Sequence, residues 1–322
     1  MRHVIASALT LGLALAVSAP ARADYTMQAF PLPEGAEPHD VYPAPDGTVW
    51  YTAQRAGALG HLDPKTGKVT LIPLGENAAP HGVIVGPDGA PWITDGGLNS
   101  IVRVDPQTQK VDVYKLPPHG NDLANLNTAT FDRRGILWFT GQNGVYGVLD
   151  PRTGGMQVYD APKGVGPYGM TTTPEGAVFY ASLAGSYLGR IDIDSGAAKV
   201  IEPPTHDQGA RRVWSDSKGG VWVSEWNAGQ VARYDSISGA WQGWKLPGAH
   251  PQPYAIYVDE QDKVWLSDWG ANAILRFDPV KQTFETFALP RRDANIRQMA
   301  GRKGEVWAAE SGTDYLVVIR FQ

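Results

Sequence analysis

Pro80-His81-Gly82-Val83-Ile84-Val85-Gly86-Pro87-Asp88-Gly89-Ala90-Pro91-Trp92-Ile93-Thr94-Asp95 is the stretch whose reading decides the fold. An apolar run of strand length meets a Pro-Asp-Gly turn, and a second run carrying a tryptophan follows. The same phrase returns from His39 through Asp46-Gly47 to Trp50, and from Asn127 to Trp138. It returns again from Tyr168 to Phe179, from Arg211 to Trp222 and from Tyr254 to Trp265, and a looser copy ends at Trp307. These anchors lie 41 to 46 residues apart, the period of a four-stranded propeller blade. Seven copies predict an all-β, seven-bladed β-propeller. The anchor tryptophans are read as packing between blades.

Each repeat supplies two further strands. The third ends in a motif such as Arg103-Val104-Asp105-Pro106, and the fourth in one such as Trp244-Lys245-Leu246-Pro247. Proline suits the fourth strand because it halts the ladder at an outer edge. The last copy stops after its third strand, Tyr315 to Arg320, whereas a surplus strand, Tyr25 to Pro33, precedes the first copy. Pairing the two is expected to complete the last blade and leave no open edge.

The chain of 322 residues begins Met1-Arg2-His3, runs apolar from Val4 to Val17 and reaches Ala21-Arg22-Ala23. A basic start, an apolar stretch too short to span a bilayer and an Ala-x-Ala end predict a cleaved signal peptide over 1–23. The propeller then occupies 24–322, and a periplasmic or secreted location with no membrane span is expected. With no cysteine, thiolate metal sites and cysteine nucleophiles are excluded. A net charge of −5 without a basic run argues against nucleic acid. No phosphate loop, serine elbow or zinc-protease motif is present, and no organic cofactor is indicated. A monomer is expected.

Counting from the anchors selects one face. The first strand runs down to the hairpin and the second returns, so the start of one and the end of the other meet at a channel mouth. Eleven residues before each anchor stand His39, His81, Asn127, Tyr168, Arg211, Tyr254 and, in the irregular last copy, Ile296 or Arg297. The next positions hold Asp40, Gly82, Thr128, Gly169, Arg212, Ala255 and Arg297. Three residues after the anchors come Asp95, Glu225, Asp268 and Glu310, a set able to hold a hard cation such as Mg²⁺ or Ca²⁺. Arg211, Arg212 and Arg297 bring opposing charge, for those acids or for an anionic ligand. Trp226 and Trp269 follow two of the acids and offer stacking surfaces for a small molecule at the mouth.

The phrases quoted above, with Val264-Trp265-Leu266-Ser267-Asp268-Trp269-Gly270-Ala271-Asn272, resemble the streptogramin lyases, the virginiamycin B lyase family, along the whole mature chain. The resemblance implies seven blades and Mg²⁺-dependent opening of a cyclic depsipeptide ester by elimination. The family's active-site histidine in the sixth blade falls on Tyr254. Its Glu-Pro-His at the start of the last blade falls on Asn295-Ile296-Arg297, and its first-blade tyrosine on His39. Glu310 is the counterpart of the acid after the last tryptophan. His39 and His81, with Tyr254 and Arg297, are therefore the catalytic candidates. Asn127, Tyr168, Arg211, Arg212, Trp226 and Trp269 are the ligand-binding ones. Three readings stay open: a carbon–oxygen lyase acting on a cyclic ester or lactone-containing compound, a non-catalytic ligand-binding or protein-interaction propeller, and a metal-dependent lactone hydrolase.

Overall fold

The computed structural model describes residues 25–120 and 123–321. The segment 1–23, read as a signal peptide, lies outside them. Seven four-stranded antiparallel sheets follow one another round a ring. Blades 1 to 6 cover 38–73, 80–115, 126–160, 167–201, 210–245 and 253–288, each in simple up-and-down order. Blade 7 takes three strands from 296–320, and its outermost strand is Thr26–Pro31, paired antiparallel with Tyr315–Arg320. The seven-bladed propeller and its closure by the first strand are as the sequence predicts. Among the described residues no helix is long and apolar enough to cross a membrane.

Strand alternation explains the repeat phrase. Successive side chains of the second strand point to opposite faces. Trp50 packs among Val83, Ile93 and Val102 of blade 2, whereas its neighbour Tyr51 packs with Trp307 and Leu316 of blade 7. The anchors are thus inter-blade wedges. Their indole N–H groups are buried and need acceptors. An acid of the preceding turn accepts from four of them: Asp88 from Trp92, Asp132 from Trp138, Asp216 from Trp222 and Asp259 from Trp265. Trp307 uses Glu305, which precedes it in its own strand. In blade 2 the acceptor is the aspartate of Pro-Asp-Gly itself, and in blades 3, 5 and 6 it is the aspartate that opens the turn, six residues before the tryptophan.

The Thr or Ser two residues after the anchor joins neighbouring blades. Thr52 accepts the Asp40 N–H of its own blade at 2.9 Å and donates to the His81 carbonyl of the next at 2.8 Å. Thr94, Thr140 and Ser224 do the same toward the carbonyls of Asn127, Tyr168 and Tyr254. Ser267 accepts from Ala255 and donates to the Ile296 carbonyl.

Candidate functional site

Every innermost strand carries a register shift at the same height. In blade 1, His39 and Asp40 both stand opposite Thr52, between the pairs Pro38–Ala53 and Val41–Tyr51. Such a bulge re-aims consecutive side chains that regular alternation would send apart. Arg211 and Arg212 are displaced in the same way in blade 5. In blade 7 the pair is Arg297 and Gln298, since Ile296 sits opposite Glu310. This resolves the irregular last copy: Arg297, not Ile296, holds the ring position, and Gln298 follows it. Gln298 was missed because its hairpin is one residue shorter than the others. Its amide oxygen accepts the Val41 N–H at 2.9 Å.

The ring side chains touch one another across the channel. The His39 and His81 rings lie 3.7 Å apart, and both are buried. Asp40 is the hub: its Oδ1 meets His39 Nδ1 at 2.8 Å and accepts from Arg212 at 3.0 Å. Arg212 also donates to the Thr128 hydroxyl at 2.6 Å. His81 Nδ1 contacts the Asn127 carbonyl at 3.1 Å and its Nε2 the Asn127 side-chain amide at 3.2 Å, which suits a neutral ring protonated on Nδ1. On the other side the hydroxyls of Tyr168 and Tyr254 are hydrogen-bonded to each other. Gly169 lets blades 4 and 5 meet here, since a Cβ on it would lie 2.7 Å from the Arg212 Cα.

Beneath this layer a cavity of ≈ 530 Å³ runs from Asp40, Thr128 and Gln298 to the turns at Asp132 and Gly176. His39, His81, Asn127, Tyr168 and Tyr254 do not line it. They close the channel above it. Arg211, Arg297, Trp226 and Trp269 lie outside the plug and are partly exposed. The Arg211 guanidinium is 3.5 Å from the centre of the Tyr254 ring and 4.6 Å from that of Trp226. Trp269 stacks on Tyr254 at 4.9 Å and donates to the Ile296 carbonyl at 2.8 Å.

Burial pushes both histidines well below their ordinary range, and the guanidinium groups of Arg212 and Arg297 push the same way. Burial raises Asp40, with Arg212 opposing it. Burial and its partner Tyr254 take Tyr168 up to about 12. For Tyr254 burial also raises, but Arg211 and Arg212 outweigh it and the net direction is down.

The second strands return to the ring face, as the hairpin geometry requires. Asp95 stands opposite Pro80, Glu225 opposite Ala210, Asp268 opposite Pro253 and Glu310 opposite Ile296. Their carboxylates are not brought together, because each secures its own blade's connections. Asp95 accepts the N–H groups of Ala79 and Leu98, both at 2.9 Å. Asp268 accepts those of Gln252 and Gly270. Glu310 takes Arg291 through two bonds of 2.7 and 2.9 Å, together with the Thr313 hydroxyl. With Asn295 offering an amide beside a carboxylate already neutralised, this end of blade 7 does not fit a divalent cation. Among the described residues the one group of three close metal-type ligands is His39, Asp40 and His81. There Asp40 Oδ1 is shared between His39 and Arg212, and Asn127 engages both nitrogens of His81, so the group is held together by hydrogen bonds and by the Arg212 cation.

Glu225 accepts from the Gln230 side-chain amide. Burial pushes its carboxyl up to about 7. The folded protein therefore holds this proton more tightly than the unfolded chain does. Its contribution is most favourable below pH about 4.5 and declines as pH rises to about 7, by at most roughly 3 kcal/mol. Glu225→Gln is expected to remove this decline. Urea unfolding of both proteins at pH 5 and pH 8 measures it, and equal pH dependence of the two would refute the assignment.

The family model for the virginiamycin B lyase family matches residues 17–237 and 188–318. Among solved structures, selenomethionine-substituted virginiamycin B lyase from Staphylococcus aureus superposes with a TM-score of 0.85 at 22% identity, over 93% of this chain and 100% of that one. A streptogramin B lyase gives 0.84 at 23%, over 92% and 98%. Hydrazine synthase from Kuenenia stuttgartiensis gives 0.72 at 16%, over 89% and 96%. No curated protein matches in sequence. Likenesses at these identities speak for the propeller alone, whereas the family model follows the repeat phrases through most of the chain, and on that match the chain belongs to the virginiamycin B lyase family.

Proposed function

We propose that the protein is an exported propeller that binds a small molecule on its ring face and does not carry out the elimination implied by its family. Export rests on the N-terminal sequence. One observation carries the rest. The groups able to accept a proton, His39, His81 and Tyr254, are buried in the plug, while the groups that reach the surface are guanidinium and indole. Elimination needs a base beside the proton α to a carbonyl and a cation on the developing enolate. Arg297 stays protonated and cannot serve as that base. The acids that would hold a cation each accept from their own loops and stand apart from one another, although Asp95 Oδ2 and Asp268 Oδ2 have no partner, so the lactone-hydrolase reading has no assembled carboxylate cluster among the described residues.

A second reading has one observation in its favour. Tyr254 stands where the family's sixth-blade histidine falls, and the arginines ease its ionisation. A lyase using its phenolate would require the Tyr168 hydroxyl to move aside. Incubation of purified mature protein with Mg²⁺ and a streptogramin B, followed by mass spectrometry, decides between the two. The expected result is no ring opening above background, and at most a rate about a hundredfold or more below that of true lyases, since a lost general base alone costs about that much. Efficient opening without gain of water would establish the lyase.

A further inference from the structure

At the centre of the ring face three guanidinium groups meet one carboxylate, while Asp95, Asp268 and Glu310 on the same face are engaged by their own loops. His39 lies within the field of Arg211, Arg212 and Arg297 together. Asp40 is the carboxylate that faces them, and Arg212 takes it at 3.0 Å. Among the described residues Arg211 and Arg297 form no ion pair. Arg211 donates to the Tyr168 hydroxyl at 3.3 Å and its Nε has no partner, while Arg297 donates through Nε to the Ser311 hydroxyl at 3.0 Å.

The aromatic rings hold these guanidinium groups by their faces. Arg211 lies against Tyr254 and Trp226, and Arg297 lies 5.5 Å from the centre of the Trp269 ring. Beyond the bonds to Tyr168 and Ser311, each guanidinium keeps terminal N–H groups that pair with no carboxylate among the described residues, and such groups grip a carboxylate through parallel bonds. Trp226 and Trp269 stand nearly perpendicular, 5.5 Å apart, and each keeps part of its indole exposed beside the two arginines.

We propose that the ring face selects a flat ligand bearing a carboxylate, with Arg211 and Arg297 on the anion and Trp226 or Trp269 against its planar body. The inference rests on reading this face as a ligand site and narrows that reading to one charge class.

Calorimetric titration of the mature protein with 1-naphthoate and with neutral 1-naphthamide provides the test. Naphthoate is expected to bind saturably, at least roughly tenfold tighter than the amide, and to weaken as salt is added. Arg211→Gln/Arg297→Gln is expected to lose roughly tenfold or more for naphthoate and to leave the amide unchanged. Circular dichroism checks that the variant folds, and the comparison of the two probes on the unaltered protein does not depend on it. Equal binding of both probes would overturn the charge selection while leaving a ligand site in place. So would naphthoate binding that survives the double substitution. Failure of both probes to bind would overturn the inference and remove support from the ring-face site as well.

Discussion

Protein that begins at Glu34 is expected to melt far below protein that begins at Asp24. The deletion removes the strand Thr26–Pro31, whose six residues pair with Tyr315–Arg320. Phe30 stacks on Trp307 with ring centres 5.5 Å apart, and Leu32 is buried in the same cluster. That cluster joins blade 7 to blade 1, so losing Phe30 and Leu32 weakens the joint where the chain ends meet. Truncating one buried phenylalanine costs about 3–5 kcal/mol, and the deletion removes this together with a whole ladder. A destabilisation above about 5 kcal/mol is therefore expected, which few domains of ordinary stability survive. The exposed edge would be Leu316-Val317-Val318-Ile319, an apolar strand prone to pair with another copy. Phe30→Ala keeps the ladder and is expected to show only the smaller loss. Thermal melting with light scattering reads both effects, and a deletion melting with the intact mature protein would refute the closure.

The second large effect is expected at Arg212. Its ion pair with Asp40 links blade 5 to blade 1 across the channel, and both side chains are buried. Arg212→Met leaves the Asp40 carboxylate without its cation in a low-dielectric layer. Breaking one side of such a pair costs about 3–5 kcal/mol. The charge is the cause rather than the packing, so Arg212→Met/Asp40→Leu is expected to recover most of the loss. Urea unfolding of the two variants beside the parent measures this coupling. A double variant no more stable than the single one would show that Arg212 acts through its contact with Thr128 instead.

The fold was legible because blade packing asks for similar residues at the same places in nearly every blade. Trp92 needs Asp88 for its indole N–H, and the pair survives in sequence as Pro-Asp-Gly followed by Trp. The ring residues were legible by counting from these anchors. Their partners were less so, because the bulge breaks the two-residue period that sequence reading relies on. Asp40 and Arg212 stand directly after ring residues, where alternation would turn them away, yet they form the centre of the network. The acids at Asp95 and Asp268 misled for the opposite reason. They do return to the ring face, but backbone N–H groups of the inter-blade connections reach them first. Nothing in the spacing of a carboxylate reveals which neighbouring loop needs an acceptor.

The hydroxyl that follows each anchor is missing twice, where Ala181 and Ala309 take its place. Blades 1 to 4 are therefore riveted in one arc and blades 5 to 7 in another. At the join between blades 7 and 1 other fasteners compensate: Gln298 reaches Val41, and Arg302 reaches the carbonyls of Ala44 and Gly47. Between blades 4 and 5 the close approach at Gly169, the cluster of Phe179 and Leu188 with Val213 and Val223, and the bonds of Gly209 to Ser186 and of Arg211 to Tyr168 stand in the hydroxyl's place. The ring is thus fastened by one repeated hydroxyl within two arcs and by individual contacts at the two joins between them. One of those joins runs between Tyr168 and Arg211, so the ring-face arginine that meets the paired tyrosines is itself part of what closes the circle.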